Sequence, residues 1–359
     1  MDHYYWFALK SVPQVGNVTF LRLLAHFGSP EKALSAPFDE LASVKGVSAA
    51  AARSIVEHDH RSGAEAECER VRTSGAQVVD ILSERYPRLL MQIPDPPPFF
   101  YLKGSLDGSE AAVAMVGSRH ASQYGLCTAT RLGKELAEQG VTVVSGMARG
   151  IDTASHWGCL KAGGRSVAVL GCGVDVIYPP ENDTLYRTLC EQGALISEFP
   201  MGTSPLPENF PRRNRIISAL AKGVLVVEAG EGSGSLITAQ YALEQGREVF
   251  AVPGNVTTSG SRGVNGLIKQ GAKLVERVED ILEELAIEPL ATHPLEKPPS
   301  FPLTPQEAEL YALLCHGALQ IDDIIVQCAL TAGEVSATLL RLEMKGIIIQ
   351  LPGKRFAVV

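Results

Sequence analysis

The sequence predicts an α/β fold, a doubly wound and mostly parallel sheet, with a small helical module before it and a winged helix after it. Three observations carry this expectation. From about residue 111 to 285, short apolar and β-branched runs such as VAVL and VLVV alternate with amphipathic stretches of helical length, the pattern of a parallel sheet covered on both faces. The first 60 residues carry helical periods and no strand pattern. Five prolines (Pro289, Pro294, Pro298, Pro299 and Pro302) mark residues 287–303 as an extended linker, beyond which three helices and a hairpin follow.

Taken in order, Val12-Pro13-Gln14-Val15-Gly16 and Val44-Lys45-Gly46-Val47-Ser48 each precede a helical stretch, at 19–27 and 49–57. That is the outline of paired helix-hairpin-helix units, whose amides at a helix start can hold a phosphate. Gln14 stands where a hairpin glycine is usual, and Ser48 replaces another. A plain helical packing module explains the segment equally well. A helix at 63–73 and a strand at 77–82 follow, then the run Asp95-Pro96-Pro97-Pro98, which precludes helix and is expected as an extended edge segment. Strands are expected at 112–116, 142–145, 166–170, 194–198, 223–227, 248–252 and 273–275. In the tail, helices are expected at 304–316, 320–329 and 331–345, with a hairpin over 346–358 turning at Pro352-Gly353. The organisation is thus a helical module over 1–60, a sheet domain over 61–286, the linker, and a winged helix over 304–359.

Composition bounds the function. Apolar residues make up 45% and charged residues 20% of the 359, enough for packed cores. The N-terminus has no secretory signature and no apolar run reaches membrane-spanning length. The seven cysteines form no C-x-x-C pair or zinc spacing and are expected to be reduced and mostly buried in a cytoplasmic chain. The net charge of -8 says little about partners, because binding depends on where the cations lie.

Four strand-end loops carry the chemistry, and ligands of such sheets bind at the carboxyl ends of the strands. Gly117-Ser118-Arg119-His120-Ala121-Ser122 precedes a helix near Gln123; its glycine admits close approach, the helix start offers amides, and Arg119 adds a phosphate fork. There is no G-x-G-x-x-G, and the second strand ends in Ser145-Gly146 rather than an acid, which argues against a nicotinamide dehydrogenase. The second loop holds Gly146, Arg149 and Gly150 before a helix in which Asp152 is expected to cap and His156 to pack. The third places Phe210, Arg212, Arg213, Asn214 and Arg215 at the head of a helix expected over 216–221, with Glu208 the nearby acid in sequence. Three arginines there oppose the helix dipole unless an anion binds, and Phe210 could stack on a base or belong to the core. The fourth, Gly230-Glu231-Gly232-Ser233-Gly234-Ser235-Leu236, fits a phosphate cradle before a helix at 237–245. Together they point to a polyanion site.

These loops resemble those of the DNA-processing protein A (DprA/Smf) family. The motifs are DPP (95–97), VGSR (116–119), SGMARGIDTASHWGCL (145–160), VLGCGVDVIYPPEN (169–182), ISEFP (196–200), FPRRNRIISAL (210–220), VVEAGEGSGSLITAQYALEQGR (226–247), VPGN (252–255) and SRGVNGLIKQGA (261–272). The resemblance runs from about Tyr86 to Leu285. It implies an extended Rossmann-like core that forms a homodimer, binds single-stranded DNA without sequence preference, protects incoming strands and helps load the RecA recombinase in natural transformation or recombination. The residues themselves hold no nucleophile elbow, metal-ligand cluster or paired-carboxylate signature, so no cofactor, metal or catalysis is expected. Arg119, Arg212, Arg213 and Arg215 match the positions of DNA ligands, and Gly117, Ser118, Gly146, Gly150, Gly234 and Ser235 those that shape the pocket.

Two other functions are weighed on the residues. The core also looks like nucleotide-cleaving phosphoribohydrolases, but their catalytic glutamate falls on Thr238, which supplies no carboxylate. The helix at 331–345 carries Glu334 and Glu343 against Arg341 and Lys345, unlike a groove-reading helix, so the tail is expected to make packing or protein contacts.

Overall fold

The structure is a computed structural model; it describes residues 3–108, 111–288, 303–314, 319–328, 330–351 and 353–358. The chain divides into two compact units, Met1–Ala291 and Thr292–Val359. Most of the proline-rich stretch over 287–303 lies outside the described residues, as do Cys315 and Pro352.

The first unit is built on a nine-stranded sheet: β1 (Gln77–Asp80), β2 (Phe99–Gly104), β3 (Ala112–Val116), β4 (Thr142–Ser145), β5 (Ser166–Val169), β6 (Ala194–Ser197), β7 (Gly223–Val226), β8 (Glu248–Ala251) and β9 (Lys273–Leu274). Their spatial order is β1-β2-β6-β5-β4-β3-β7-β8-β9. Every residue of β3 to β7 is buried, because helices cover both faces, and this is why those strands read as apolar runs broken only by a few small hydroxyl residues. The strands from β3 onward run parallel, and β1 and β2 are antiparallel additions. Several strands stop a residue short of expectation. Leu170, Val227, Val252 and Val275 each still donate one amide to the neighbouring strand, to Ile196, Val116, Val226 and Ala251, but leave the ladder there.

The proline run does not lead to an edge. It delivers β2 between β1 and β6, with its prolines before the strand, so no ladder amide is lost. Tyr86 pins the run by donating its buried hydroxyl to the Pro97 carbonyl at 2.7 Å.

In the N-terminal module the helices Asn17–Phe27 and Ala49–Glu57 follow the two hairpins. Gln14 adopts φ 69° and Gly46 φ 83°, so the two hairpins share a left-handed residue at the same position although only one of them is glycine. Gly16 and Ser48 occupy the two N-caps, and the Ser48 hydroxyl accepts the Ala51 amide at 3.1 Å. The module shares its core with the sheet: Trp6 stacks on Phe20 at 5.5 Å, and Phe7 stacks on Tyr101 of β2 at 5.9 Å. The cysteines depart from expectation. Of those described, all are free, but Cys159 and Cys172 alone are buried and Cys127 is exposed on its helix.

The second unit contains helices Pro305–Leu314, Ile321–Gln327 and Ala332–Met344, with β10 (Leu319–Gln320), β11 (Ile348–Leu351) and β12 (Arg355–Val358) in the order β10-β12-β11. The last helix opens with a capping box between Thr331 and Glu334. Among the described residues no single helix is long and apolar enough to cross a membrane.

Candidate functional site

The chain leaves β3 toward β4, β5 and β6 on one side and returns to place β7 and β8 on the other, so β3 is the switch point of the sheet. The loops after β3 and β7 diverge there and leave a crevice at the strand ends. A trough of about 590 Å³ occupies it. Gly117, Ser118 and Arg119 form one wall, Phe210, Arg213 and Asn214 another, and residues 230–235 with Ile237 and Thr238 a third.

The loop after β3 is held by a residue that motif reading overlooked. Glu228, buried just past β7, accepts the Ser122 amide at 3.0 Å and the Ser122 hydroxyl on its carboxylate, and its carbonyl accepts the Ser118 amide at 2.7 Å. Ser122 in turn caps the helix Gln123–Glu138 by accepting the Gly125 amide at 3.1 Å. This helix start, expected to offer amides to a phosphate, is therefore already engaged by a carboxylate and a hydroxyl. What the loop presents outward is Arg119. It is exposed, lies over the Phe210 ring at 5.2 Å, and forms no ion pair among the described residues.

The loop after β4 forms the back of the trough, where Ala148 and Asp152 line it. Asp152 does not cap its helix, whose N-cap is Gly150 at φ 75°. Its carboxylate reaches back to accept the Gly146 and Ala148 amides at 3.1 and 3.3 Å. Burial pushes this carboxyl's pKa up, and the nearby Arg213 opposes the shift. Gly146, Arg149 and Gly150 contribute no trough wall; Arg149 turns to Glu181, with Nη2 3.0 Å from Oε2. His156 packs as expected. Its Nδ1 lies 2.7 Å from Ser166 Oγ, whose own proton goes to the Val143 carbonyl, so Nδ1 carries the hydrogen. Burial, with Arg213 nearby, lowers its pKa to about 3 and keeps it neutral.

The arginine helix is the main correction. It spans Asn209–Ala219, not 216–221, so the arginines lie within its first two turns and helical periodicity sends them in different directions. Arg213 is 3% exposed and donates to the carbonyls of Gly146 (2.8 Å) and Val169, behind the Phe210 ring. Burial lowers its pKa to about 10, so it stays charged at neutral pH. Arg215 leaves the trough altogether. It pairs with Glu198 and with Asp95 (Nε to Oδ2, 3.2 Å), so the acids that matter are distant in sequence and Glu208 is not among them. Arg212 is exposed outside the trough, over Phe199 at 5.8 Å. Of the expected cations, Arg119 projects and Arg213 charges the wall from beneath.

Phe210 belongs to the trough, half-buried, with Tyr178 5.6 Å away across an inclined ring pair. Gly171 makes this possible, since a Cβ there would come within 2.8 Å of the Phe210 ring. Tyr178 was not singled out in the sequence; the VLGCGVDVIYPPEN motif that carries it was the available signal. On the fourth loop, Gly234 and Ser235 line the trough, the Ser233 hydroxyl caps the helix Gly234–Glu244, and the Asn214 side-chain amide bridges to the Gly234 carbonyl at 3.3 Å. Among the described residues no three His, Cys, Asp or Glu side chains are grouped to hold a metal ion.

A trough with a projecting guanidinium, aromatic rings and serine-glycine loops is suited to phosphates and bases, and comparison with known proteins agrees with the motifs that build it. The model of the DNA recombination-mediator protein A family matches residues 77–286, that of the DprA winged helix domain 294–354, and that of a SAM-like helix-hairpin-helix tandem 8–58. Protein Smf of Synechocystis sp. is 34% identical over 389 residues, covering 98% of both chains. The X-ray structure of DNA processing protein A from Streptococcus pneumoniae superposes with a TM-score of 0.70 at 35% identity, over 79% of this chain and 98% of that one. The Helicobacter pylori protein, whose structure concerns its single-stranded DNA binding mode, gives 0.53 at 26% identity over 59% and 95%. With a family match that takes in the whole sheet and a relative aligned almost end to end, this chain belongs to the DNA recombination-mediator protein A family.

Proposed function

We propose that the trough binds single-stranded DNA without sequence preference and without catalysis. The observation that carries this is the convergence, at one switch point, of the unpaired Arg119, the Phe210 and Tyr178 rings and the loop of Gly234 and Ser235. Guanidinium and loop amides meet phosphates whatever the base, and aromatic faces accept any base by stacking. The Helicobacter pylori relative, described by its single-stranded DNA binding, supports the reading. Absence of chemistry is supported by the state of the buried acids, Asp152 held on two amides and Glu228 on Ser122, and by Thr238 standing where a hydrolase would need a carboxylate; Glu231, the other acid lining the trough, is exposed to solvent. In this reading the chain acts in the cytoplasm, dimerises through its core, shields strands and passes them to the RecA recombinase; the family resemblance supports that part.

The test is a titration of labelled single strands of several sequences, matched duplexes and nucleoside monophosphates at two salt concentrations. Single strands should bind alike, more tightly than duplex, with affinity falling as salt rises because counterions are released. Equal or tighter duplex binding, or steady release of base from nucleotides, would overturn the proposal.

A further inference from the structure

A second cavity lies at the amino ends of the parallel strands, the ends opposite to those that carry the trough, and the two share no lining residue. It holds about 320 Å³, at the lower end of the roughly 300–1,000 Å³ over which pockets for small organic ligands range. Ala112 of β3, Val144 of β4 and Val167 of β5 give it an apolar floor on the sheet, and Leu106 and Leu220 extend the apolar lining; all five are buried. The element that packs on this part of the sheet is the helix Arg88–Met91, whose four residues rise only about 6 Å, too little to cover the face. The charge of the lining is one-sided. Arg88 and Lys222 are exposed there, and neither forms an ion pair or side-chain hydrogen bond among the described residues. A third cation is bonded to the lining itself. Arg247 Nη2 donates to the Leu89 carbonyl at 3.0 Å and to Gln92 Oε1 at 3.3 Å, and its Nε is buried with no partner among the described residues. Against these three the lining has one acid, the exposed Asp107.

We propose that this cavity binds a small organic monoanion with an apolar body, a carboxylate carried on a ring system or a short chain. The floor offers such a body contact surface and almost no hydrogen-bonding groups, so a ligand rich in hydroxyls would leave them unpaired there. The carboxylate meets Arg88 and Lys222, whose donors are uncommitted, and one negative charge placed among three cations and one acid is attracted. A nucleotide, with sugar hydroxyls and several phosphate charges, suits the trough and not this floor. The cavity therefore adds a small-molecule site to the chain, at the strand ends away from the proposed DNA site.

Calorimetric titration of the full chain with 1-naphthoate tests this, with the uncharged 1-naphthamide as its control. Naphthoate should bind saturably, and naphthamide at least about tenfold more weakly, because it lacks the charge that the cations hold. Arg88→Glu and Lys222→Glu should each weaken naphthoate about tenfold while the unfolding midpoint stays put, since both positions are exposed. Leu106→Trp, which sets an indole into the cavity, should abolish binding; the two charge variants keep the test decisive if that chain fails to fold. A saturating single-stranded oligonucleotide should not displace naphthoate, which separates this site from the trough, and the charge variants read the cavity whether or not the trough binds DNA. No saturable binding, equal affinity for naphthamide, unchanged binding in both charge variants, or displacement by the oligonucleotide would each rule the proposal out.

Discussion

Arg119 in the loop after β3 and Arg215 on the helix Asn209–Ala219 count alike in any tally of positive charge, yet their surroundings are opposite. Arg119 stands exposed over an aromatic ring with no carboxylate partner among the described residues. Arg215 is buried between Glu198 and Asp95, and Arg213, two residues before it, is buried on carbonyl oxygens. A guanidinium can take a phosphate only if its donors are not already committed. The same rule applies at the end of the helix Ala332–Met344 in the second unit, where Lys345 is tied to Glu307. Charge density in a sequence measures supply; the partners decide what is free.

The largest effect should come from breaking the buried side of this comparison. Arg215→Ala strands the buried Glu198 carboxylate, whereas Asp95, 45% exposed, can turn to water; the loss should cost about 3 kcal/mol of folding stability, read by urea unfolding, the cost of removing one partner of a buried ion pair. Little change would mean that Arg215 is not structural. Next is the acid limb of stability. His156 binds its proton only near pH 3 in the folded state but near 6.5 when unfolded, so the unfolded chain takes up the proton first and stability falls as pH drops below 6.5. By pH 5 this amounts to about 2 kcal/mol, which His156→Gln should remove from the pH dependence of unfolding.

The exposed side should behave differently. Arg119→Ala should weaken single-strand binding about tenfold, near the ~1.5 kcal/mol of one charged hydrogen-bonding contact, with no change in unfolding midpoint. It should also reduce the slope of log affinity against log salt by roughly 0.7, since one phosphate contact is lost. A shift in the melting temperature with unchanged binding would reverse the roles assigned to the two arginine regions. The smallest effect tests a backbone version of the comparison. Gln14 holds a left-handed conformation that Gly46 holds in the second hairpin without strain. Gln14→Gly should stabilise the chain by about 1 kcal/mol in denaturant unfolding, the cost of a side chain in that region.

Much of this molecule was open to reading in one dimension. Strands buried on both faces are apolar through their centres, with small hydroxyls tolerated at their ends, so β3 to β8 announced themselves, and the glycine and serine loops that follow them marked the edge where the trough lies. β2 was obscured because a proline run precedes it and an antiparallel strand added to a parallel sheet has no spacing rule. The start of the arginine helix was misplaced by seven residues because Pro211 in its first turn resembles a loop signal while being compatible with a helix start. Tyr178 and Glu228 reach the site from strands on either side of β3, and nothing local to either says so.

Residue order by itself determined the alternation of elements, the loops at the strand ends and the family to which they belong, because these depend on periodicity and on neighbours a few positions apart. Only the tertiary structure decided which charges remain available. Arg215 meets Asp95 across 120 residues, and whether a guanidinium faces that carboxylate or open solvent turns on the rotation of one helix by a single residue, about 100°. Pairing is a property of three-dimensional distance, and the free energy of a charge follows its partner and its burial rather than its place in the chain.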